Sequence, residues 1–84
     1  MADSFAYILE FVSIEITQIR KSKGLPDVKI IQESVLLGQN LGLDSLDLAT
    51  LIVTLQENTR HDPFRSGFIM FRTVGELVNL FSNP

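Results

Sequence analysis

The sequence predicts an all-α protein: a small four-helix bundle of three main helices and one short helix, with a long packed loop between the first two helices. Three observations carry that expectation. Apolar residues recur every three or four positions in separate segments. Ser, Asp or Thr stands ahead of each main segment, where a helix N-cap belongs. The one strand-like run, residues 28–31, has no second run of comparable strength to pair with, and an isolated strand cannot satisfy its edges.

The first helix is capped by Asp3 or Ser4, runs to about residue 21 and stops near Lys23-Gly24. Phe5, Ile8, Leu9, Val12, Ile16 and Ile19 form its buried stripe, and Phe11 and Ile14 widen it. Glu10, Glu15, Gln18 and Arg20 fall mostly outside the stripe. The β-branched Val12, Ile14, Ile16 and Thr17 lower intrinsic helix propensity, so packing must supply much of the helix's stability.

Residues 24–44 form the long connection. Pro26 breaks helix, and Gly38 and Gly42 allow turns. Val28, Ile30, Ile31, Val35, Leu36, Leu37, Leu41 and Leu43 are too many apolar residues for a solvated loop. The segment is expected to pack over the core, with a short helical turn near 33–37.

The second helix spans about 45–58, with Asp44 as N-cap and Asp47 in the first turn, where the dipole favours negative charge. Asp47, Thr50, Thr54 and Glu57 make one narrow polar stripe, and Leu46, Leu48, Ala49, Leu51, Ile52, Val53 and Leu55 cover the rest. One core face does not need that much apolar surface. Either the helix is buried on two sides, or part of it is exposed for a partner.

Residues 59–67 are a polar connection containing Pro63, with room for one short helical turn. Phe64, Phe68, Ile69, Met70 and Phe71 then close the core. Thr73-Val74-Gly75-Glu76 is a capping box that opens the last helix, packed down by Val74, Leu77, Val78, Leu80 and Phe81. Ser82-Asn83-Pro84 frays off its end. No repeat or internal boundary interrupts the chain, so residues 1–84 read as a single domain.

Composition narrows the function. Apolar residues make up 45% of the 84, which supports a core, although a domain of this size is only marginally stable. Seven basic against ten acidic residues give a net charge of −3, and nucleic-acid binding needs a basic stripe instead. The one basic cluster, Arg20, Lys21 and Lys23, reads as cations complementing a helix C-terminus. There is no cysteine, hence no disulfide, thiol nucleophile or thiolate metal site. His61, the single histidine, sits beside Asp62 and Pro63 and reads as a turn residue. No signal-peptide pattern or membrane-length apolar run is present, so a cytoplasmic monomer with no membrane partner is expected.

The most informative stretch is Gly42-Leu43-Asp44-Ser45-Leu46-Asp47-Leu48. It puts a serine hydroxyl at the start of a helix, between carboxylates and leucines. A serine nucleophile needs an adjacent base and a charge-stabilising pocket. The histidine lies in another loop, Gly-x-Ser-x-Gly is absent, and no strand precedes the serine. Asp44 and Asp47 are too few ligands for a metal and are explained as helix caps. The chain therefore reads as no enzyme. Ser45 is placed to have chemistry done to it.

This combination resembles the acyl carrier proteins. Their Gly-x-Asp-Ser-Leu signature, at the start of the second of four helices, stands here as Gly42-Leu43-Asp44-Ser45-Leu46, and the order of elements agrees over nearly the whole chain. The resemblance implies a 4′-phosphopantetheine arm, taken from coenzyme A by a phosphopantetheinyl transferase and attached to Ser45, with no metal and no catalytic residue. It implies acyl-loading and acyl-processing enzymes as partners, docking on Asp44, Asp47 and Glu57 with Leu46 as the apolar contact. If the cargo is sheltered, the implied lining is Leu51, Ile52, Leu55, Phe64, Ile69 and Phe71, with Leu77 behind; each also reads as plain core. Gln39-Asn40 stands where the family often has an acidic pair, Thr50 and Gln56 stand where fatty-acid carriers usually have Glu, and Arg60 and Arg65 add positive charge. These departures point to a specialised lipid, secondary-metabolite or amino-acid-loading pathway. An aminoacyl or D-alanyl carrier on the same arm, and an unmodified helical interaction module, are the alternatives.

Overall fold

The computed structural model describes residues 4–82. Its elements are α1 (Phe5–Ser22), α2 (Ser45–Thr59) and α3 (Val74–Phe81), with no strand among the described residues. α1 packs against both other helices. The Cα radius of gyration is 12.2 Å, close to the ~12 Å of a well-folded chain of this length.

Each helix begins where its cap stands. The Ser4 hydroxyl accepts from the Tyr7 amide at 3.1 Å; Asp3, the other candidate, lies outside the described residues, as do Asn83 and Pro84. Asp44 caps α2, and Thr73 caps α3 in the expected box with Glu76. At the end of α2, Arg60 sits in the left-handed region (φ 56°), a conformation that suits Gly or Asn far better.

The core is drawn from every part of the chain. α1 contributes Ile8, Val12 and Ile16; α2 contributes Leu51 and Leu55; α3 contributes Val74, Leu77, Val78 and Phe81. The α1–α2 connection adds Leu36, Leu41 and Leu43. Burying one such side chain stabilises by about 1.5–3 kcal/mol, which offsets the entropy of ordering a segment without regular structure. Residues 23–44 hold no helix or strand. Instead, Val35 and Thr73 make one isolated antiparallel bridge, and the Gly75 amide donates to the Gln32 carbonyl at 2.9 Å. A Cβ on Gly75 would lie 3.1 Å from Gln32 Cβ, so glycine is what lets the connection lie against the start of α3.

Five expectations need correction. Of the residues expected to close the core after the second helix, Phe64 and Phe71 pack against it, whereas Phe68, Ile69 and Met70 are 70%, 43% and 80% exposed. The short fourth helix does not form among the described residues: 60–73 makes turns, with Arg65 N–H to Asp62 O at 3.2 Å and Gly67 N–H to Phe64 O at 3.0 Å. Pro63 and Gly67 favour turns there, and the segment is closed by ring packing, Phe64 stacking on Phe68 with centroids 5.6 Å apart and meeting Phe71 and Phe81. No helical turn spans 33–37: turns close at 31–34 (Ser34 N–H to Ile31 O, 3.0 Å) and 35–38 (Gly38 N–H to Val35 O, 3.2 Å), and between them the Leu36 amide donates to Arg72 O at 2.9 Å across the bridge to Thr73. Ile14 is exposed, because α1 is covered by α2 and α3 on one broad face only. Arg20 is 5% exposed rather than outside the stripe, because its guanidinium finds carbonyl acceptors under the connection.

Candidate functional site at the start of the second helix

Two cations from the end of α1 organise the turn that precedes α2. Arg20 donates to the carbonyls of Pro26 (2.8 Å), Asn40 (3.2 Å) and Leu41. A buried guanidinium with three carbonyl acceptors is costly to disrupt, and it pins both limbs of the connection to α1. Its Nε has no partner. Lys23, the C-cap of α1, reaches the Gly42 carbonyl at 2.9 Å and the Asp47 carboxylate at 2.5 Å. The basic cluster thus does more than complement a dipole: two of its members tie α1 to the turn before Ser45.

Gly42 is required by that arrangement. Its φ is +68°, and a Cβ there would lie 3.0 Å from Leu25 Cδ1 and 3.5 Å from Arg20 Nη1. Leu43 is then buried in the core, which turns the next residues outward. Asp44 Oδ1 accepts from the Asp47 amide at 2.8 Å, while Asp47 Oδ2 accepts from the Asp44 amide at 3.0 Å. The first bond within α2 runs from the Leu48 amide to Asp44 O. The Ser45 and Leu46 amides therefore have no helical acceptor behind them, and they stand at the positive end of the dipole.

Ser45 is exposed, and Leu46 beside it is 75% exposed. Asp44 and Asp47 differ: their side chains are 66% and 20% exposed, because Lys23 covers Asp47 and stands 3.9 Å from Asp44. The Lys23 hydrogen bond holds the Asp47 carboxyl below the usual carboxylate range, and the Asp44 amide reinforces it. The same hydrogen bond raises Lys23. Glu57 is exposed ten residues beyond Asp47, about 15 Å along the axis, so the three carboxylates do not form one cluster.

The α2 surface resolves the choice left open by its composition. Leu51 and Leu55 are buried, Leu48 and Ile52 pack against the core, and Leu46, Ala49 and Val53 are exposed. These last three recur at helical spacing with Thr50 and Glu57, forming a mainly apolar outer stripe.

A cavity of about 430 Å³ opens beside the helix start, lined by Val35, Leu36, Leu37, Leu48, Phe68, Met70, Phe71 and Arg72. Leu48 is three residues beyond Ser45, one turn along the same face. The volume lies within the ~300–1,000 Å³ typical of ligand pockets. Of the six residues expected to shelter a cargo, Phe71 lines this cavity. Leu51 and Leu55 are central core, Ile52 and Phe64 pack onto the core, and Ile69 lines a different cavity with Phe5, His61 and Leu80. Val35, Leu37, Leu48, Phe68 and Met70 were not anticipated. The signal for them was present as apolar density in the connection and in the run Phe68-Ile69-Met70-Phe71.

Comparison with protein-family models, curated proteins and solved structures finds no match to this chain.

Chemically, the site offers a hydroxyl beside two carboxylates that are engaged in the cap, Asp44 by the Asp47 amide and Asp47 by the Asp44 amide and Lys23. His61 lies in the 60–73 segment with its ring edge-on to Phe81, centroids 6.3 Å apart. No group of three or more metal-ligating side chains occurs among the described residues. No helix among them is long and apolar enough to cross a membrane.

Proposed function

We propose that this chain is an acyl carrier protein, in which Ser45 bears a 4′-phosphopantetheine arm and the domain presents acyl intermediates to partner enzymes. The observation that carries the proposal is an exposed Ser45 hydroxyl on a rigidly capped helix start, flanked by buried Leu43 and by Leu46 at 75% exposure, within Gly42-Leu43-Asp44-Ser45-Leu46. When attached, the arm supplies a terminal thiol that holds its cargo as a thioester.

The chain's own residues do the remaining work. Gly42 and Leu43 set the turn, and Arg20 holds it through the carbonyls of Pro26, Asn40 and Leu41. The free amides of Ser45 and Leu46 suit a phosphodiester on the serine oxygen. Leu46 and Asp44 meet the phosphopantetheinyl transferase and the acyl-loading and acyl-processing enzymes, with Asp47 and Glu57 adding acidic character at either end of the helix. The cavity walled by Leu48 and Phe71 lies one turn from the attachment point and suits an apolar cargo. In this reading the turns of 62–67 stand where a carrier's short helix stands. The reduced acidity of α2 favours a specialised lipid or secondary-metabolite pathway, in the cytoplasm.

The exposed stripe of Leu46, Ala49 and Val53 also suits a helical interaction module that is never modified. The two readings separate at one atom. A carrier gains phosphopantetheine on Ser45 and loses that gain in Ser45→Ala, with its fold intact. A Ser45→Ala protein that is still modified would falsify the assignment of the serine.

A further inference from the structure

We propose that Lys23 determines which partners can use the acidic end of α2, because its ammonium already occupies the carboxylate that a partner's basic side chain would take. Docking is then an exchange of one cation for another. This rests on the carrier reading of Ser45.

The geometry gives the exchange its terms. Lys23 Nζ lies 2.5 Å from Asp47 Oδ2, 2.9 Å from Gly42 O and 3.9 Å from Asp44 Oδ2. Its side chain keeps 32% of its surface in water, so it can swing aside without opening the core. On leaving Asp47 it exchanges that ion pair, the longer approach to Asp44 and the hydrogen bond to Gly42 O for solvent, and each of these contacts is partly exposed, so the change is modest. Asp44 remains open. Glu57, about 15 Å from Asp47 along the axis, lies beyond a Debye length of ~8 Å and cannot substitute for it. Leu46, Ala49 and Val53 occupy the surface between.

The face therefore presents one open carboxylate, one covered carboxylate and an apolar stripe. The partner it fits carries an apolar socket for Leu46 and one basic group for Asp44. A surface that relies on several basic groups gains only after displacing Lys23. Both members of the pair stay ionised through the neutral range, so the competition is permanent under physiological conditions.

The test is the steady-state rate of Ser45 modification by a broad-specificity phosphopantetheinyl transferase with coenzyme A, comparing wild type, Lys23→Gln, Lys23→Arg and the double variant Lys23→Gln/Asp47→Asn, each first shown to be folded by circular dichroism. Lys23→Gln is expected to lower the KM for the carrier about three- to fivefold at low salt with kcat unchanged, and to steepen the rise of KM with salt. Lys23→Arg should behave as wild type, and adding Asp47→Asn should abolish the gain. If Lys23 only braces the turn, Lys23→Gln will raise KM or lower kcat, and the inference is overturned. Modified wild type with no gain in Lys23→Gln overturns the inference alone. Folded wild type that is never modified overturns the carrier reading and the inference with it.

Discussion

Lys23, the last residue associated with α1, places its ammonium 2.5 Å from the Asp47 carboxylate in the first turn of α2. Twenty-two residues of connection, 23–44, separate the two helices, yet their facing ends are joined through Lys23, which pairs with Asp47 and Asp44 and donates to the Gly42 carbonyl. Asp47 and Glu76 are both held below the usual carboxylate range. For Asp47 the Lys23 hydrogen bond leads; for Glu76 the amides of Arg72 and then Thr73 do. Lowered carboxyls bind fewer protons folded than unfolded, so they stabilise above their unfolded value near about 4, and that stabilisation is lost as pH falls through the folded value. Lys23 is raised, so its contribution is complete below its ordinary value and lost as pH rises through the folded one. Thermal midpoints should fall below about pH 4 and again in strong alkali, and Asp47→Asn and Glu76→Gln should each flatten the acid limb. An acid limb unchanged in both variants would remove these pairs from the stability of the fold.

Gly42→Ala forces a Cβ into the left-handed region and against Leu25 and Arg20. A cost of about 2 kcal/mol or more is expected, since the left-handed conformation alone costs roughly 1–2. Urea unfolding at neutral pH measures it. A loss under half a kilocalorie would mean that the turn re-forms easily.

Arg60→Gly removes left-handed strain at the end of α2, where the Arg60 amide already bonds the Gln56 carbonyl at 2.8 Å. It should stabilise by about 0.5–1 kcal/mol, the conformational gain less the added entropy of the unfolded chain. A destabilised variant would show that the Arg60 side chain makes a contribution of its own.

Leu46 and Leu55 offer a matched pair on one helix, 75% and 0% exposed. Leu55→Ala should cost about 2–5 kcal/mol, and Leu46→Ala should lie within about 0.5 kcal/mol of wild type. Modification of Ser45 should show the reverse order, slowed by Leu46→Ala and little affected in folded Leu55→Ala. Equal stability losses would place Leu46 in the core.

The helices were legible because their signals are local. Periodic apolar residues marked α1, and Ser4, Asp44 and Thr73 marked the starts of all three. The Thr73–Glu76 box formed as written, and Asp44 with Asp47 formed a second one. What escaped was decided by contacts between distant segments. Arg20 looks like a surface residue on a helical wheel until the carbonyls of Asn40 and Leu41 arrive above it. The ion pair of Lys23 with Asp47 spans 24 positions and has no local signature. The cavity lining was missed for a similar reason. Leu51 and Leu55 have the right chemistry, but both are fully buried in the core, leaving Leu48, Phe68, Met70 and Phe71 to border the open space. Ser45 itself was legible because its exposure follows from the buried leucine and the cap that precede it.

Intact-protein mass after incubation with coenzyme A and a broad-specificity phosphopantetheinyl transferase bears most directly on the carrier reading. The expected result is the addition of one phosphopantetheinyl group, mapped to Ser45 by peptide fragmentation. An unchanged mass in folded protein, across both general and dedicated transferases and beside a control carrier that is fully converted, would contradict it and leave α2 as the binding surface of an unmodified interaction module.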